Sequence, residues 1–335
     1  MRIGLAKIMV MIILMHPVIA QSAILKVGPE HTLKKPSDAA QIAKDDDVIQ
    51  IEGNTYHGDT AIFTQNNLLI RGVNGKPVLI APENIPNRKA IWVIRGDNIK
   101  ISNIEFRNAK VPDRNGSGIR QEKGHLVIEN CHFENNEMAI VTSNDAAGSL
   151  IIHNSQIKNN IVDYPKYKRL GHNIYVGRNK YFELKNSQIS GARWGHNVKS
   201  RAAQSVIEEN VIYDGEGGFS SYLLDLPNGG QAIVRNNVFH QNSKTQNTTM
   251  ISFGAEKNLH PANDIRISHN QFINDKSNGI LLNNHTEANP TFHDNSISGS
   301  QKLNIQQPFW PTFILKLRKR MPDLADKFSN ILLDK

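Results

Sequence analysis

The stretch Gly171–Arg201, GHNIYVGRNKYFELKNSQISGARWGHNVKSR, contains two Gly-His-Asn triplets, at Gly171-His172-Asn173 and Gly195-His196-Asn197, each leading into a short apolar segment that ends in basic residues. From Asp163 to Arg201 nine Lys/Arg face only Asp163 and Glu183, a local charge of +7 in a chain whose total is +8. The basicity is therefore local, which points to a polyanionic partner more than an evenly basic surface would. A nucleic-acid motif is missing, so an acidic polysaccharide is the expected polyanion.

Working outward from the triplets, an Asn followed closely by Phe, Ile or Tyr recurs in ISNIEF (Asn103), IENCHF (Asn130), IHNSQI (Asn154), LKNSQI (Asn186), EENVIY (Asn210), VRNNVF (Asn236), SHNQFI (Asn270) and HDNSI (Asn295). A unit of about two dozen residues is one coil of a β-solenoid, and the longer intervals mark loop insertions. Asn suits a recurring turn because it tolerates the left-handed conformation and bonds its own backbone, and stacked amides can ladder along the axis. Second strands lie between these turns: SGIRQ, AIVTS, NIYVG, HNVKS, YLLDL, MISFG and GILLN. Alternation predicts that Ile119, Ile140, Ile174, Val198, Leu224, Ile251 and Ile280 point inward.

The ends read differently. Residues 1–20 have the form of a secretory signal, with Arg2 and Lys7 around an apolar run and Val18-Ile19-Ala20 at a small-residue cleavage site. The run is too short to span a bilayer, so an exported protein, periplasmic or secreted, without a transmembrane segment is expected. Pro36–Lys44 predicts a short cap helix with Ala39, Ala40, Ile42 and Ala43 near one face. The tail at 308–335 predicts an amphipathic helical cap over the last coil, whose basic face would also suit weak contact with a membrane surface. Cys131 is the single cysteine and rules out an intrachain disulfide; it reads as a small core or ladder residue.

Stacking Ile174, Val198, Leu224 and Ile251 as inward positions puts Tyr175, Lys199, Asp225 and Ser252 in one outward column, on strands about 4.8 Å apart. Flanking columns hold His172, His196 and Tyr222 before the strand, and Arg178, Arg201, Asn228 and Glu256 after it. β-Elimination on a uronate needs a group to neutralise the carboxylate, a base for the adjacent proton and an acid near the leaving oxygen. Lys199 would be the base if Arg201 and Arg178 lower its pKa. Tyr175 or His172 would be the acid, or exchange roles with Lys199, and the guanidinium forks of Arg178 and Arg201 suit the carboxylate. The catalytic candidates are thus Lys199, Tyr175, His172 and Arg201. The substrate-binding candidates are Arg178, His196, Tyr222, Asp225, Asn228 and Glu256. Plainer readings stand beside these: Lys199 opposite Asp225 also fits a cross-strand ion pair, His172 and His196 fit solvated turns, and Tyr175 and Tyr222 fit β-forming residues. Asp214-Gly215-Glu216 reads as a turn, and no cofactor is required, although a calcium role is compatible with its two carboxylates. His125, His132 and His153 are scattered over different turns and make no zinc constellation.

The short helix feeding a strand and then Gly53-Asn54-Thr55-Tyr56 resembles the amino-terminal cap of the pectin-lyase-like right-handed parallel β-helix proteins. GHNIYVGR, VKSRAA and SSYLLDLPNGG are similar to bacterial exported right-handed β-helix repeat proteins, over most of the chain. The resemblance implies an all-β, single-stranded right-handed parallel β-helix over 21–307. It also implies a superfamily that includes pectate and alginate lyases, chondroitinase-type lyases, polygalacturonases and mannuronan epimerases. Lyases with a Lys base resemble this pattern but carry Arg one coil further on, where this chain has Asp225. The paired Asp residues of the polygalacturonases and the Asp-Pro-His-Asp run of the epimerases are missing. A lyase acting on an acidic polysaccharide is therefore the leading expectation, with a non-catalytic polysaccharide-binding or export-assembly protein second and a hydrolase or epimerase third.

Overall fold

The computed structural model describes residues 22–299 and 304–306. The expected signal peptide and carboxy-terminal helical cap lie outside these residues. Three parallel sheets of 11, 10 and 10 strands run the length of the molecule, and each coil contributes one strand to each sheet. The strands extend from Ile24–Val27 to Asn304–Gln306. No helix among the described residues is long and apolar enough to cross a membrane.

Alternation explains the core. Ile49, Ile70, Ile101, Ile128, Ile152, Leu184, Ile207, Val234 and Ile267 occupy one register position in the first sheet and are all buried. Identical side chains stack because neighbouring coils repeat the same position: the rings of Phe106 and Phe133 lie 4.9 Å apart and nearly parallel, and those of Phe239 and Phe272 lie 5.2 Å apart. The amino-terminal helix forms at Pro36–Ile42, with Pro36, Ala39 and Ala40 buried. Ala43 is buried as well, but Ile42 is 54% exposed and belongs to the outer side, contrary to the sequence expectation.

The inward series is found at Ile119, Ile140, Ile174, Val198, Leu224 and Ile251. Its next member is Leu282, since Ile280 pairs with Thr249 and is only half-buried. The recurring Asn also divides into two adjacent columns. The left-handed turn position is held by Asn103, Asn130, Asn154, Asn186, Glu209, Asn236, His269 and Asp294, each with φ between 50° and 58°. The residue after it points inward, and from Cys131 through Ser155, Ser187, Asn210, Asn237 and Asn270 to Asn295 each backbone N–H donates to the next side-chain oxygen at 2.9–3.1 Å. Asn210, Asn270 and Asn295 therefore belong to the ladder, one residue out of phase with the other five Asn of the series. Asn is favoured in both places for different reasons, left-handed tolerance in one and a bidentate amide in the other. Cys131 starts this ladder, and burial pushes its thiol up to about 12.

Candidate functional site in the solenoid groove

The triplets that open the groove divide their three residues among three directions. A Cβ on Gly195 would fall 1.6 Å from the Gly171 carbonyl oxygen, so glycine is required for the coils to stack here. Asn173 and Asn197 turn inward and continue a second buried amide ladder, Asn136–Asn160–Asn173–Asn197, with links of 2.8–2.9 Å. His172 and His196 turn outward and stack with Tyr222 at ring separations of 4.9 and 5.0 Å.

These histidines are buried, 6% and 5% exposed, and are not solvated turn residues. Nδ1 of His172 accepts the His196 backbone N–H (3.0 Å), and Nδ1 of His196 accepts that of Tyr222 (3.2 Å). Both rings are thereby fixed as the neutral Nε2–H tautomer. Burial and the neighbouring His196 hold His172 well below its ordinary value, and burial with Lys199 brings His196 down to about 3. The 3.4 Å approach of His196 Nε2 to Asp225 Oδ2 is accordingly a contact of a neutral imidazole.

The predicted outward column is present: Tyr175, Lys199, Asp225 and Ser252 are successive register partners. Lys199, 7% exposed, donates to Asp225 Oδ2 at 2.6 Å and to Glu256 Oε1 at 3.0 Å. Arg201 grips Glu256 in a fork, Nη1 to Oε2 at 2.5 Å and Nη2 to Oε1 at 2.9 Å. Its Nε donates to the Tyr175 hydroxyl oxygen (3.0 Å), and Nη1 also donates to Asn228 Oδ1 (2.8 Å). Glu256 arrives from the loop after Thr249–Phe253, which leaves the strand at Gly254 (φ 74°) and is tied to the preceding coil by Glu256 N–H donating to Pro227 O at 2.8 Å. The hydrogen bonds from Arg201 and Lys199 hold the Glu256 carboxyl down at about 2, whereas burial pushes Asp225 above the usual carboxylate range.

One predicted member stands apart. Arg178 turns to the Asn258 carbonyl (2.6 Å), while Arg201 stays beside Lys199, both donating to Glu256 Oε1 at 2.9 and 3.0 Å. The basic stretch is likewise divided among faces. Lys185 lies in the strand Tyr181–Lys185 of the first sheet near Glu208 and Glu209, while Lys199 lies in the groove sheet. A coil wraps the whole circumference, so charge dense in sequence becomes dispersed in space.

Three features lie outside the sequence reading. Tyr175 borders an open cleft of about 470 Å³ that extends to Arg120, Met138 and Asn144 on the earlier coils. Trp194, with the unusual φ of 64°, packs against Tyr164 and Phe219 at 5.8 and 4.8 Å, forming an aromatic lip on loops that lead into the groove strands. His260 Nε2 meets the Arg201 carbonyl oxygen at 2.9 Å and braces the wall. Asp214 is a turn organiser: it is buried and accepts from Ser220 N–H, Ser220 Oγ and Asn242 N–H, whereas Glu216 is exposed. His132 is less isolated than its sequence spacing suggests. It lies 3.0 Å from Glu105 and 3.7 Å from Glu134, but Arg107 and Lys158 pair with those carboxylates and the group is on a different sheet from the groove.

A family model described as a right handed beta helix region matches residues 167–306. The protein folds as a right-handed parallel β-helix. Solved structures similar to this β-helix include an alginate lyase from Paenibacillus sp. str. FPU-7, at 14% identity and a TM-score of 0.54, covering 81% of this chain and 95% of the other. Pectate lyase Pel9A is similar at 16% identity and a TM-score of 0.50, covering 87% and 79%. At such identities the likeness is one of fold. Comparison with curated proteins found no match.

Proposed function

We propose that this β-helix is an exported protein that cleaves an acidic, uronate-containing polysaccharide by β-elimination. The observation that carries the reading is the register of Tyr175, Lys199 and Asp225 on adjacent groove strands beside an open cleft. Tyr175 is suited to proton transfer: its oxygen accepts from Arg201, which leaves its own O–H to point at a leaving oxygen. Lys199 is suited to take the proton beside the uronate carboxylate once it has released one. Lys199 Nζ donates to Asp225 Oδ2 at 2.6 Å, so that carboxyl is the neighbour to which its proton would pass. Arg201 and Glu256 hold the two groups in place, and the stacked His172, His196 and Tyr222 give the groove a rigid, uncharged wall. Export rests on the signal-like residues 1–20, and the chemistry calls for no cofactor.

A second reading, polysaccharide binding without turnover, is favoured by one feature: Lys199 and Arg201 are both paired with carboxylates of the protein itself. Incubation with pectate, alginate and other uronate polymers separates the two. The lyase reading expects new ultraviolet absorbance from unsaturated ends, abolished by Lys199→Ala and lowered at least a hundredfold by Tyr175→Phe with the thermal melt unchanged. Binding with no new double bond refutes the lyase, and new reducing ends without absorbance would assign hydrolysis to Asp225 and Glu256.

A further inference from the structure

The outward column that holds Tyr175 and Lys199 begins on earlier coils. Arg120 is the register partner of Val141, and Val141 of Tyr175, so Arg120 stands two strands, about 10 Å, before Tyr175 on the same face. The cations around it are committed. Lys199 and Arg201 bind Asp225 and Glu256, Arg178 binds the Asn258 carbonyl, and Lys89 and Arg95 both pair with Glu122. Arg120 differs: among the described residues no acceptor bonds its guanidinium, and its Nε is buried without a partner.

A partly buried guanidinium without a hydrogen-bond acceptor is costly; burial lowers the Arg120 pKa from its ordinary value while the nearby charge of Glu122 raises it, and the guanidinium stays protonated. Its stem is held in the strand Ser117–Gln121, and it lines the 470 Å³ cleft together with Asn115, Met138, Asn144 and Tyr175. With Nε closed off, Nη1 and Nη2 are the donors left for a ligand. Two parallel N–H donors at the wall of a cleft match a carboxylate in fork geometry. The amides of Asn115 and Asn144 and the thioether of Met138 provide polar and apolar surface for the ring that bears it.

We propose that Arg120 is the carboxylate-recognition residue of the groove, binding the acid group of one uronate residue over Val141 while a neighbouring sugar reaches Tyr175 and Lys199. This rests on the reading of the groove as a uronate-polymer site, and it shifts substrate recognition from the basic Gly171–Arg201 stretch to the coils before it. The cations of that stretch hold the site together, and Arg120 selects the ligand.

The test is titration calorimetry with tetrasaccharides of pectate and alginate and with the carboxyl-reduced tetrasaccharide of pectate, on the wild-type protein, Arg120→Met and Arg120→Lys. At least one acidic tetrasaccharide should bind the wild-type protein, about tenfold to a hundredfold more weakly to Arg120→Met, and at intermediate strength to Arg120→Lys. The neutral tetrasaccharide should bind all three alike. Arg120→Met should melt no lower than the wild-type protein, since it keeps the stem and removes a guanidinium without a hydrogen-bond acceptor, whereas a structural Arg120 would make it melt lower. Equal affinity of wild-type and Arg120→Met for the acidic probes, equal loss for the neutral probe, or no binding of any acidic probe to the wild-type protein each overturns the proposal. Loss of binding in Arg120→Met by a protein that forms no unsaturated ends would leave this recognition role standing and remove only the lyase; cleavage indifferent to Arg120 would do the reverse.

Discussion

At the scale of single residues, the Gly-His-Asn triplet shows how one short motif meets three demands set by stacking. Its His could be exchanged for another flat ring at the cost of chemistry, and its Asn for another ladder residue at the cost of a hydrogen bond. Its Gly has no substitute, because the two atoms nearest the missing Cβ are backbone. Gly195→Ala would place a methyl 1.6 Å from the Gly171 carbonyl oxygen, and the two coils would have to separate. Overpacking of this kind costs about 1–3 kcal/mol where side chains can yield. With rigid backbone opposite, a loss at or above the top of that range is expected, read as a lower urea midpoint at unchanged slope. The separation would also spread the His172–His196 stack, so a variant that still folds should lose groove function beyond its loss of stability.

At the scale of the repeating element, the period was legible in the sequence and its phase only in part. Asn marks the turn in most coils, but where the turn residue is Glu209, His269 or Asp294 the visible Asn is the ladder residue that follows. One residue type serving two adjacent columns hides a shift of one position. The groove column could be read because alternation fixes it: Ile174, Val198 and Leu224 point in, so Tyr175, Lys199 and Asp225 must point out. Arg120 obeys the same rule one residue after Ile119, yet nothing in its local sequence marks it, since its significance lies in the partners it lacks. The two-column assignment has a paired test. Asn237 accepts from Asn210 and donates to the Ile207 and Arg235 carbonyls in the buried ladder, so Asn237→Ala should cost about 2–4 kcal/mol through stranded donors and acceptors. Glu209 sits in the left-handed turn at φ 58°, where Asn is at ease, and its contact with Lys185 at 3.6 Å is on the surface. Glu209→Asn should therefore raise stability by about 0.5–1 kcal/mol. Denaturant melts of the two variants moving in the same direction would refute the assignment.

At the scale of the whole molecule, the groove should set how the solenoid responds to acid, because its wall is built from histidines kept neutral. His172 and His196 have folded pKa values below the ordinary 6.5, and so does His132 through burial. Unfolded chains take up those protons first as pH falls from about 7, so the stability these groups confer is complete above 6.5 and is lost progressively toward the folded value, about 3 for His196. Glu256 has the same sign in a lower window, its contribution complete above 4.5 and fading as pH drops toward about 2. Asp59, Asp214 and Asp225 act in the opposite sense: burial raises them above 3.8, so the folded protein binds their protons more readily and recovers part of the loss in that range. Between pH 6.5 and 5 the histidines lower stability on acidification, and the raised aspartates oppose them. Calorimetric melts through that window should show the midpoint falling with pH. His196→Asn, whose Oδ1 can still accept the Tyr222 N–H but which cannot titrate, should flatten the slope. An unchanged slope in that variant would mean that His196 takes up a proton in the folded protein, and the groove wall would then carry charge near Arg201 and Lys199 when the pH is mildly acidic.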